Sequence, residues 1–186
     1  MKKLEVGCGR DKRAGYIGMD IVKLPLVDIV HDMNIAPWPF EDDSFDEIVF
    51  DDVLEHSKEF LVILTEIYRV AKNNAIIKIS VPHFSCDNMY TDPTHTIFFS
   101  SRSFNYFDKS LNNRYGYYLR DVDFRICKVY LSFREYFTKE GEKKTSNIFR
   151  FIGLEYLINK YPRIYERFFA WILPVAEIYF ELEVKK

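Results

Sequence analysis

The sequence predicts an α/β fold built on a mostly parallel sheet. Short apolar runs rich in isoleucine and valine succeed one another through the first half of the chain, each bounded by glycine, proline, aspartate or asparagine. Runs that are apolar at nearly every position are typical of parallel strands buried on both faces. One long helical pattern separates the fourth run from the fifth. The predicted strands are Lys3–Gly7, Gly15–Met19, Asp28–His31, Glu47–Phe50 and Ala75–Val81.

The connections between these strands differ in length. A helix is predicted over residues 53–71, because apolar side chains recur there at three- and four-residue spacing, and Asn73 and Asn74 are its predicted stop. The loop before the second strand, Cys8 to Ala14, is much shorter than the dozen or so residues that a crossover between parallel strands normally takes. We therefore expect single-turn connections there and a sheet with one poorly covered face near its ligand.

The second half of the chain carries weaker signals. Glu181 and Glu183 alternate with apolar residues, which is the pattern of a half-buried edge strand. The aromatic segment Tyr161–Phe180 is expected to pack as a lid or a flank. The predicted elements of this half are a strand over Phe124–Phe133, a helix over Asn147–Asn159 and a strand over Ile178–Val184.

Composition narrows the class of protein. A chain of 186 residues suits a single domain, and a formal charge of -2 gives no attraction to nucleic acid or to anionic membranes. The longest apolar stretch, Phe168–Phe180, is interrupted by Pro174 and Glu177 and is too short to cross a bilayer, so no transmembrane segment is expected. Three widely spaced cysteines and the lack of a signal peptide favour reduced thiols and a cytoplasmic location.

A glycine turn and a later carboxylate point to a nucleoside. Gly7 and Gly9 follow the first strand directly, and Asp20 follows the second, eleven residues after Gly9. Glycines let the backbone approach a ligand without an intervening Cβ, and a carboxylate accepts hydrogen bonds from neighbouring ribose hydroxyls. Strands that end in this way hold nucleosides in α/β folds. A full three-glycine nicotinamide fingerprint is missing, which disfavours a nicotinamide-binding Rossmann domain.

A series of motifs over the first 82 residues resembles the class I S-adenosylmethionine-dependent methyltransferases, and most closely their small type 11 branch. The series reads, in order, Leu4-Glu5-Val6-Gly7-Cys8-Gly9, then Asp20, His31-Asp32, Pro39-Phe40 followed by Ser44-Phe45-Asp46, and Val53-Leu54-Glu55-His56. The resemblance implies a Rossmann-like fold with a seven-stranded, mostly parallel sheet, short early connections and an antiparallel strand near the C-terminus. It also implies S-adenosyl-L-methionine as cofactor and a small-molecule or saccharide acceptor.

The same resemblance assigns roles to individual residues. The backbone around Gly7 and Gly9 would surround the methionine part of the cofactor. Asp20 would bind the ribose hydroxyls, and Asp32 would contact the adenine amine. Asp51 and Asp52, at the end of the fourth strand, would hold the methionine amino group. His56 either lines the pocket or is a partly buried helix residue whose polar atoms a neighbour satisfies. Cys8 is expected to be a small residue packed in the turn rather than a reactive thiol. The cofactor residues implied are Glu5, Gly7, Cys8, Gly9, Asp20, Ile21, Asp32, Met33, Asp51, Asp52 and His56.

The loop after the fifth strand holds the densest polar cluster and is expected to face the acceptor. His83, Tyr90, Asp92 and His95 are the candidates for a general base that removes a proton from a hydroxyl or amine. Two alternatives remain beside this: Asp92 capping a turn, and a metal site that uses His83, His95, Asp92 and Cys86. Their spacing matches no standard zinc pattern, so no metal is expected.

Two departures from the family pattern affect the functional prediction. No third glycine and no long helix follow Gly9, and the charged run Arg10–Arg13 stands there instead. The run is expected to be a solvated turn, with a basic residue that reaches the cofactor carboxylate or an acidic substrate as the alternative. The shortened region also motivates a second hypothesis, a cofactor-binding module or regulatory subunit without catalysis.

Overall fold

The computed structural model describes residues 1–111, 121–133, 137–138, 141–142 and 153–186. Among these residues seven strands form one sheet in the order β3–β2–β1–β4–β5–β9–β6, and two short strands, β7 and β8, pair with each other in antiparallel fashion. The strands are β1 (Lys3–Val6), β2 (Ile17–Asp20), β3 (Ile29–Val30), β4 (Phe45–Asp51), β5 (Ala71–Pro82), β6 (Phe124–Ser132), β7 (Phe137–Thr138), β8 (Gly141–Glu142) and β9 (Glu177–Val184). All five strands predicted in the first half are present, with shifted boundaries.

The last strand lies inside the sheet. β1 to β5 run parallel, whereas β9 runs antiparallel to both β5 and β6. The expectation of an edge strand was therefore wrong. Glu181 is placed opposite Lys78 of β5 on one side and opposite Lys128 of β6 on the other. The alternation of glutamate with apolar residues reflects a polar face of the sheet rather than an exposed edge.

The predicted helix over residues 53–71 is divided. A 3-10 turn, Leu54–His56, precedes helix α1 (Phe60–Val70), and β5 begins at once with Ala71. The predicted stop at Asn73 and Asn74 was wrong, because both residues lie inside β5, where Asn74 adopts a positive φ of 63°. The pairing of β4 with β5 shifts register nearby, between the partners of Phe45 and Glu47.

The remaining helices are short. Residues 147–152 of the predicted helix Asn147–Asn159 lie outside the described residues, and the described helix there begins at Leu154. Within the described part of the chain, no helix is long and apolar enough to cross a membrane. All three cysteines are free. The elements are α2 (Asn88–Thr91), α3 (Leu154–Lys160) and α4 (Pro162–Phe168), with 3-10 turns at Asn105–Phe107 and Lys109–Leu111.

The two faces of the sheet carry different side chains. The register places Leu4, Ile48 and Ile77 on one face, which α1 covers with its apolar side. Lys3 and Glu47 pair on the other face. As the short connection predicted, the segment between β1 and β2 contains no helix and instead lies across this second face.

Candidate functional site

The glycine turn closes the carboxyl end of β1. The N–H of Gly7 donates to the carbonyl of Met19 at 2.7 Å, which ties the turn to β2. Gly7 has a φ of 67°, and a Cβ at this position would lie 2.4 Å from Cγ2 of Val53. Only glycine fits there. Gly9 also has a positive φ, but a Cβ on it would meet nothing within 4 Å, so its backbone borders open space.

Asp20 holds the glycine turn in place. Its Oδ2 accepts a hydrogen bond from the Gly9 N–H at 2.9 Å, and its Oδ1 accepts one from the Val22 N–H at 2.9 Å. Each carboxylate oxygen retains a second lone pair, so these bonds leave acceptor capacity for the hydroxyls of a ribose. The neighbouring Ile21 is 63% exposed and supplies an apolar surface at the same strand end.

A buried ion-pair network underlies the turn. The guanidinium of Arg13 binds Glu5 and donates to Oδ2 of Asp51 at 2.7 Å, while the Arg13 N–H donates to Oε2 of Glu5 at 2.6 Å. The Arg13 side chain is only 11% exposed, so the expectation of a solvated turn was wrong for this residue. Arg10, by contrast, is exposed. Arg13 therefore fastens the helix-free connection to the ends of β1 and β4.

The predicted adenine residues lie just beyond β3. Oδ1 of Asp32 accepts hydrogen bonds from the backbone and side-chain nitrogens of Asn34, at 2.9 and 2.8 Å. The carbonyl of Met33 accepts a hydrogen bond from Nε1 of the buried Trp38 at 2.9 Å. These contacts fix both residues beyond the carboxyl end of β3, at the same end of the sheet as Asp20.

Cys8 is packed inside the turn. A Cβ on Gly18 would lie 2.6 Å from the Cys8 sulfur, so the thiol fills the space above that glycine. Burial, reinforced by the charge of Asp20, raises the pKa of the Cys8 thiol to about 11. The thiol is therefore protonated and unreactive at neutral pH, which favours the packing role.

A cavity of about 510 Å³ opens beyond the carboxyl ends of β4 and β5. Its wall combines residues from the 3-10 turn after β4, from the loop after β5 and from the start of β9. It brings two residues of the predicted cofactor set, Asp52 and His56, next to two predicted catalytic residues, Asp92 and His95. The lining residues are Asp52, Glu55, His56, Pro82, Asn88, Thr91, Asp92, Pro93, His95, Ala176 and Glu177.

Glu55 is the most unusual residue of this cavity. It is 1% exposed, and neither of its carboxylate oxygens has a hydrogen-bond partner within the described part of the chain. Burial, followed by the charges of Asp52, Asp51 and Glu177, raises the pKa of Glu55 to about 8. Sequence reasoning did not assign Glu55 a role. The sequence feature that could have identified it is the Glu55-His56 pair directly after the fourth strand.

His56 and His95 lie against each other, with ring centroids 4.6 Å apart. Nδ1 of His56 is 2.8 Å from Oγ1 of Thr94, which itself donates to Oδ1 of Asp92 at 2.6 Å. Nδ1 of His95 is 3.3 Å from the carbonyl of Met89. Both rings therefore donate through Nδ1. Burial and the neighbouring His95 lower the pKa of His56, so its Nε2 carries a free lone pair at neutral pH.

The other predicted catalytic residues lie elsewhere. His83 is completely buried, with Nδ1 2.8 Å from Oγ of Ser85 and Nε2 3.4 Å from Oε1 of Glu166, and it does not line the cavity. Tyr90 is exposed, and its hydroxyl donates to a backbone carbonyl at 3.0 Å. Asp92 has the predicted capping role, because its Oδ1 accepts the N–H of Thr94, and it also lines the cavity.

Comparison with known proteins agrees with this geometry. Residues 4–79 match a family model described as a methyltransferase domain. A S-adenosylmethionine-dependent methyltransferase from Archaeoglobus fulgidus is 19% identical, with 98% of this chain and 85% of that chain covered and a TM-score of 0.57. A S-adenosylmethionine-dependent methyltransferase from Methanosarcina mazei is 16% identical, with 99% and 92% covered and a TM-score of 0.52. No curated protein gives a significant match.

The fold also occurs in an enzyme of another type. The [4+2]-cyclase SpnF is 16% identical, with 99% of this chain and 74% of that chain covered and a TM-score of 0.56. Likeness at this level of identity establishes the fold, and the match over residues 4–79 adds the methyltransferase sequence motifs. Residues 4–79 thus match a methyltransferase domain, and the chain has the Rossmann-like fold of these structures, with a sheet of six parallel strands and one antiparallel strand.

Proposed function

We propose that the chain is a class I S-adenosylmethionine-dependent methyltransferase that transfers a methyl group to a hydroxyl of a small polar molecule of the saccharide or polyol class. The observation that carries the proposal is the lining of the 510 Å³ cavity, where four carboxylates and two imidazoles lie together. Carboxylates accept hydrogen bonds from hydroxyl groups. No lysine or arginine lines this cavity among the described residues, which disfavours a phosphorylated or carboxylated acceptor.

In this proposal the two halves of one domain have different roles: the first binds the cofactor and the second binds the acceptor. Residues 1–82 hold the cofactor, with the glycine turn against its methionine part, Asp20 at the ribose and Asp32 at the adenine. Residues 83–186 complete the acceptor side through Asp92, His95 and Glu177. The open backbone at Gly9 supports this placement, because it borders space at the strand ends that the cofactor requires.

The chain's own contribution to the reaction is alignment and removal of a proton. S-adenosylmethionine supplies a methyl group that its sulfonium already activates. The protein has to hold the acceptor oxygen in line with that methyl group and exclude water. In this proposal Nε2 of His56 or of His95, the ring nitrogen opposite the one that contacts Thr94 or Met89, takes the hydroxyl proton. His83, whose ring nitrogens are engaged inside the core, is not placed to do so.

Calorimetry with S-adenosylhomocysteine tests the cofactor half of the proposal. Asp20→Ala is expected to weaken binding by about tenfold or more, because the loss of a hydrogen bond to a charged group costs about 1.5–3 kcal/mol. Asp20→Asn keeps one acceptor oxygen and the turn contacts, and serves as the conservative variant. Unchanged affinity in both folded variants would contradict the ribose assignment.

Radiolabelled S-adenosylmethionine, offered with a panel of polyols and monosaccharides, tests the acceptor half. His95→Ala is expected to lower turnover by about a hundredfold while cofactor affinity is retained. His83→Gln is the histidine control and is expected to reduce stability rather than turnover per folded molecule. Full turnover in His95→Ala and in His56→Ala would exclude histidine base catalysis.

The missing helix between β1 and β2 favours a second candidate, a regulatory subunit that binds the cofactor without catalysis. The same two measurements separate the candidates. Tight binding of S-adenosylhomocysteine together with no methyl transfer to any member of the panel would support the regulatory role.

A further inference from the structure

We infer that Glu55, His56 and His95 form a binding site for one divalent transition-metal ion of the Zn²⁺ type in the wall of the acceptor cavity. One ligand atom from each residue lies within 4.8 Å of the other two. Two imidazoles and one carboxylate, with the remaining positions open to a cavity, make up the ligand set of catalytic zinc and non-haem iron sites. The expectation of no metal concerned a different set, which shares only His95 with this one.

The histidines already make the outer contacts that metal ligands require. Ligating histidines generally donate their second ring N–H to a carbonyl or to a carboxylate-linked group, which fixes the tautomer. His95 does so directly to the carbonyl of Met89, and His56 does so through the hydroxyl of Thr94 to Asp92. The Nε2 atoms, the ones a metal would bind, remain available.

Backbone hydrogen bonds hold the two ligand segments together. The carbonyl of Glu55 accepts the N–H groups of Thr96 and Ile97 at 2.8 and 3.1 Å, and the Thr96 hydroxyl donates to the carbonyl of Ser57 at 2.7 Å. Nε2 of His95 lies 3.9 Å from Oε1 of Glu55. Tetrahedral bonds of 2.0–2.1 Å place neighbouring ligand atoms about 3.3 Å apart, so a small side-chain movement closes the site.

The charges of the cavity favour a cation. Glu55 is buried with both oxygens unpaired among the described residues, and Asp52 and Glu177 line the same space. A buried carboxyl group without a partner is costly, and a cation that displaces its proton removes that cost. The imidazole donors select a transition metal over Mg²⁺ or Ca²⁺, which prefer oxygen ligands.

An ion at this position would change how the acceptor loses its proton, a consequence that rests on the proposed function. A coordinated hydroxyl has a lowered pKa, so its O–H bond breaks and the proton passes to cavity water. The oxygen then bonds to the methyl carbon as the sulfur–carbon bond breaks, which leaves neutral S-adenosylhomocysteine. With the ion bound, His56 and His95 would act as ligands, and the role of base proposed for them above would apply only to the metal-free chain.

Metal binding is measured on the full chain without cofactor or acceptor, so the result does not depend on the proposed reaction. The chain is stripped with a chelator and carries Cys127→Ser, which removes the one exposed thiol among its three cysteines. Zn²⁺ is titrated by competition with a chromophoric chelator, and Co²⁺ serves as a spectroscopic probe. We expect one ion per chain and Co²⁺ absorption bands typical of nitrogen and oxygen ligands.

Variants test whether the site is the one named. Glu55→Gln, His56→Ala and His95→Ala are each expected to weaken Zn²⁺ binding by about a hundredfold or more, and Thr94→Val by about tenfold through its outer contact. His31→Ala is the matched histidine control and should bind normally. Glu55→Gln keeps the shape of a buried side chain and decides the outcome if a histidine variant misfolds.

Absence of stoichiometric Zn²⁺ binding, or equal binding by the parent and the Glu55→Gln chain, would overturn the metal site. If the ion binds as expected but methylation is unchanged after chelation, the ion has no role in proton removal and that consequence is wrong. Failure to find any methyl acceptor would count against the proposed function, while the measured metal site would stand.

Discussion

The two faces of the sheet are stabilised by different physical means. On the face covered by α1, Phe50, Phe104 and Phe180 are completely buried, and the rings of Phe104 and Phe180 meet edge to face at 4.7 Å. On the opposite face, Glu47 lies between Lys3 at 3.4 Å and Lys78 at 3.1 Å. The first face is an ordinary hydrophobic core, whereas the second is a ladder of charged side chains across parallel strands.

The difference follows from the connection between β1 and β2. A helix there would cover the second face and require apolar side chains beneath it. The segment that replaces the helix is too short to do so, and Arg13 and Tyr16 extend from it to carboxylates of the sheet. A parallel sheet can therefore omit a covering helix when charged pairs replace the apolar layer. The same segment leads directly into the cofactor crevice.

The largest expected effect is on the apolar face. Phe180→Ala should lower the free energy of unfolding by about 3–5 kcal/mol, because it removes a large buried ring and leaves a cavity. Urea denaturation followed by circular dichroism measures this. A loss below 1 kcal/mol would mean that the core collapses around the gap and that the two faces are less different than we describe.

The next effect concerns Arg13. Arg13→Met should cost about 3 kcal/mol, because it leaves the buried Glu5 and the partly buried Asp51 without their cation. Lys12→Met is the matched control, since Lys12 pairs with the more exposed Asp28, and it should cost less than about 1 kcal/mol. Equal effects of the two variants in denaturation experiments would contradict a buried network under the turn.

Glu47 gives the polar face a pH dependence. Burial alone would raise the pKa of Glu47, but hydrogen bonds from Tyr16 and Lys78 and the charge of Lys3 outweigh it and lower that pKa. The ionised form therefore stabilises the fold above the carboxyl's ordinary pKa, and this stability is lost as the pH falls through the lowered value. Glu47→Gln should cost about 2 kcal/mol at pH 7.

The difference between the parent and Glu47→Gln should then shrink as the pH falls below the ordinary carboxyl pKa and through the lowered pKa of Glu47, where the parent's carboxyl becomes protonated. Melting temperatures measured from pH 3 to pH 8 provide the test. A difference that stays constant across this range would show that the charge of Glu47 is unimportant and that only its shape matters.

The smallest effect belongs to the partly exposed end of the ladder. Lys78→Met should change stability by at most about 1 kcal/mol, because the Lys78 side chain is 30% exposed and Glu47 keeps its contacts with Lys3 and Tyr16. The effect should diminish further in 0.5 M salt. A large, salt-insensitive loss would place Lys78 in the buried network beside Arg13.

The sequence was most informative where structure depends on neighbours along the chain. Apolar runs located the strands, and the short segment after Gly9 correctly predicted the missing helix. The break in the predicted helix depends on a distant residue instead. Oδ1 of Asn34 accepts the N–H groups of Lys58 and Glu59, at 2.8 and 3.2 Å, and so separates the 3-10 turn from α1. No periodicity in residues 53–71 contains that information.

The same distinction holds for the candidate site. Gly7, Gly9 and Asp20 are conspicuous in the sequence because they lie at or just after the ends of β1 and β2. The cluster around Glu55 could not, because it depends on hydrogen bonds to Thr96 and Ile97, some forty residues later. His83 appeared as available as His95 in the sequence, but Glu166 and Ser85 hold it inside the core.

The position of β9 has a consequence for how the protein is made. Ile77 of β5 pairs with Leu182 of β9, roughly a hundred residues later, and Ile126 of β6 pairs with the same leucine. Until residues 177–184 leave the ribosome, β5 and β6 cannot join one sheet, and each presents an unpaired edge to other nascent chains. Synthesis of the last strand is therefore the step that converts two separate pieces into one fold, and a chaperone bound before that step would find β5 exposed.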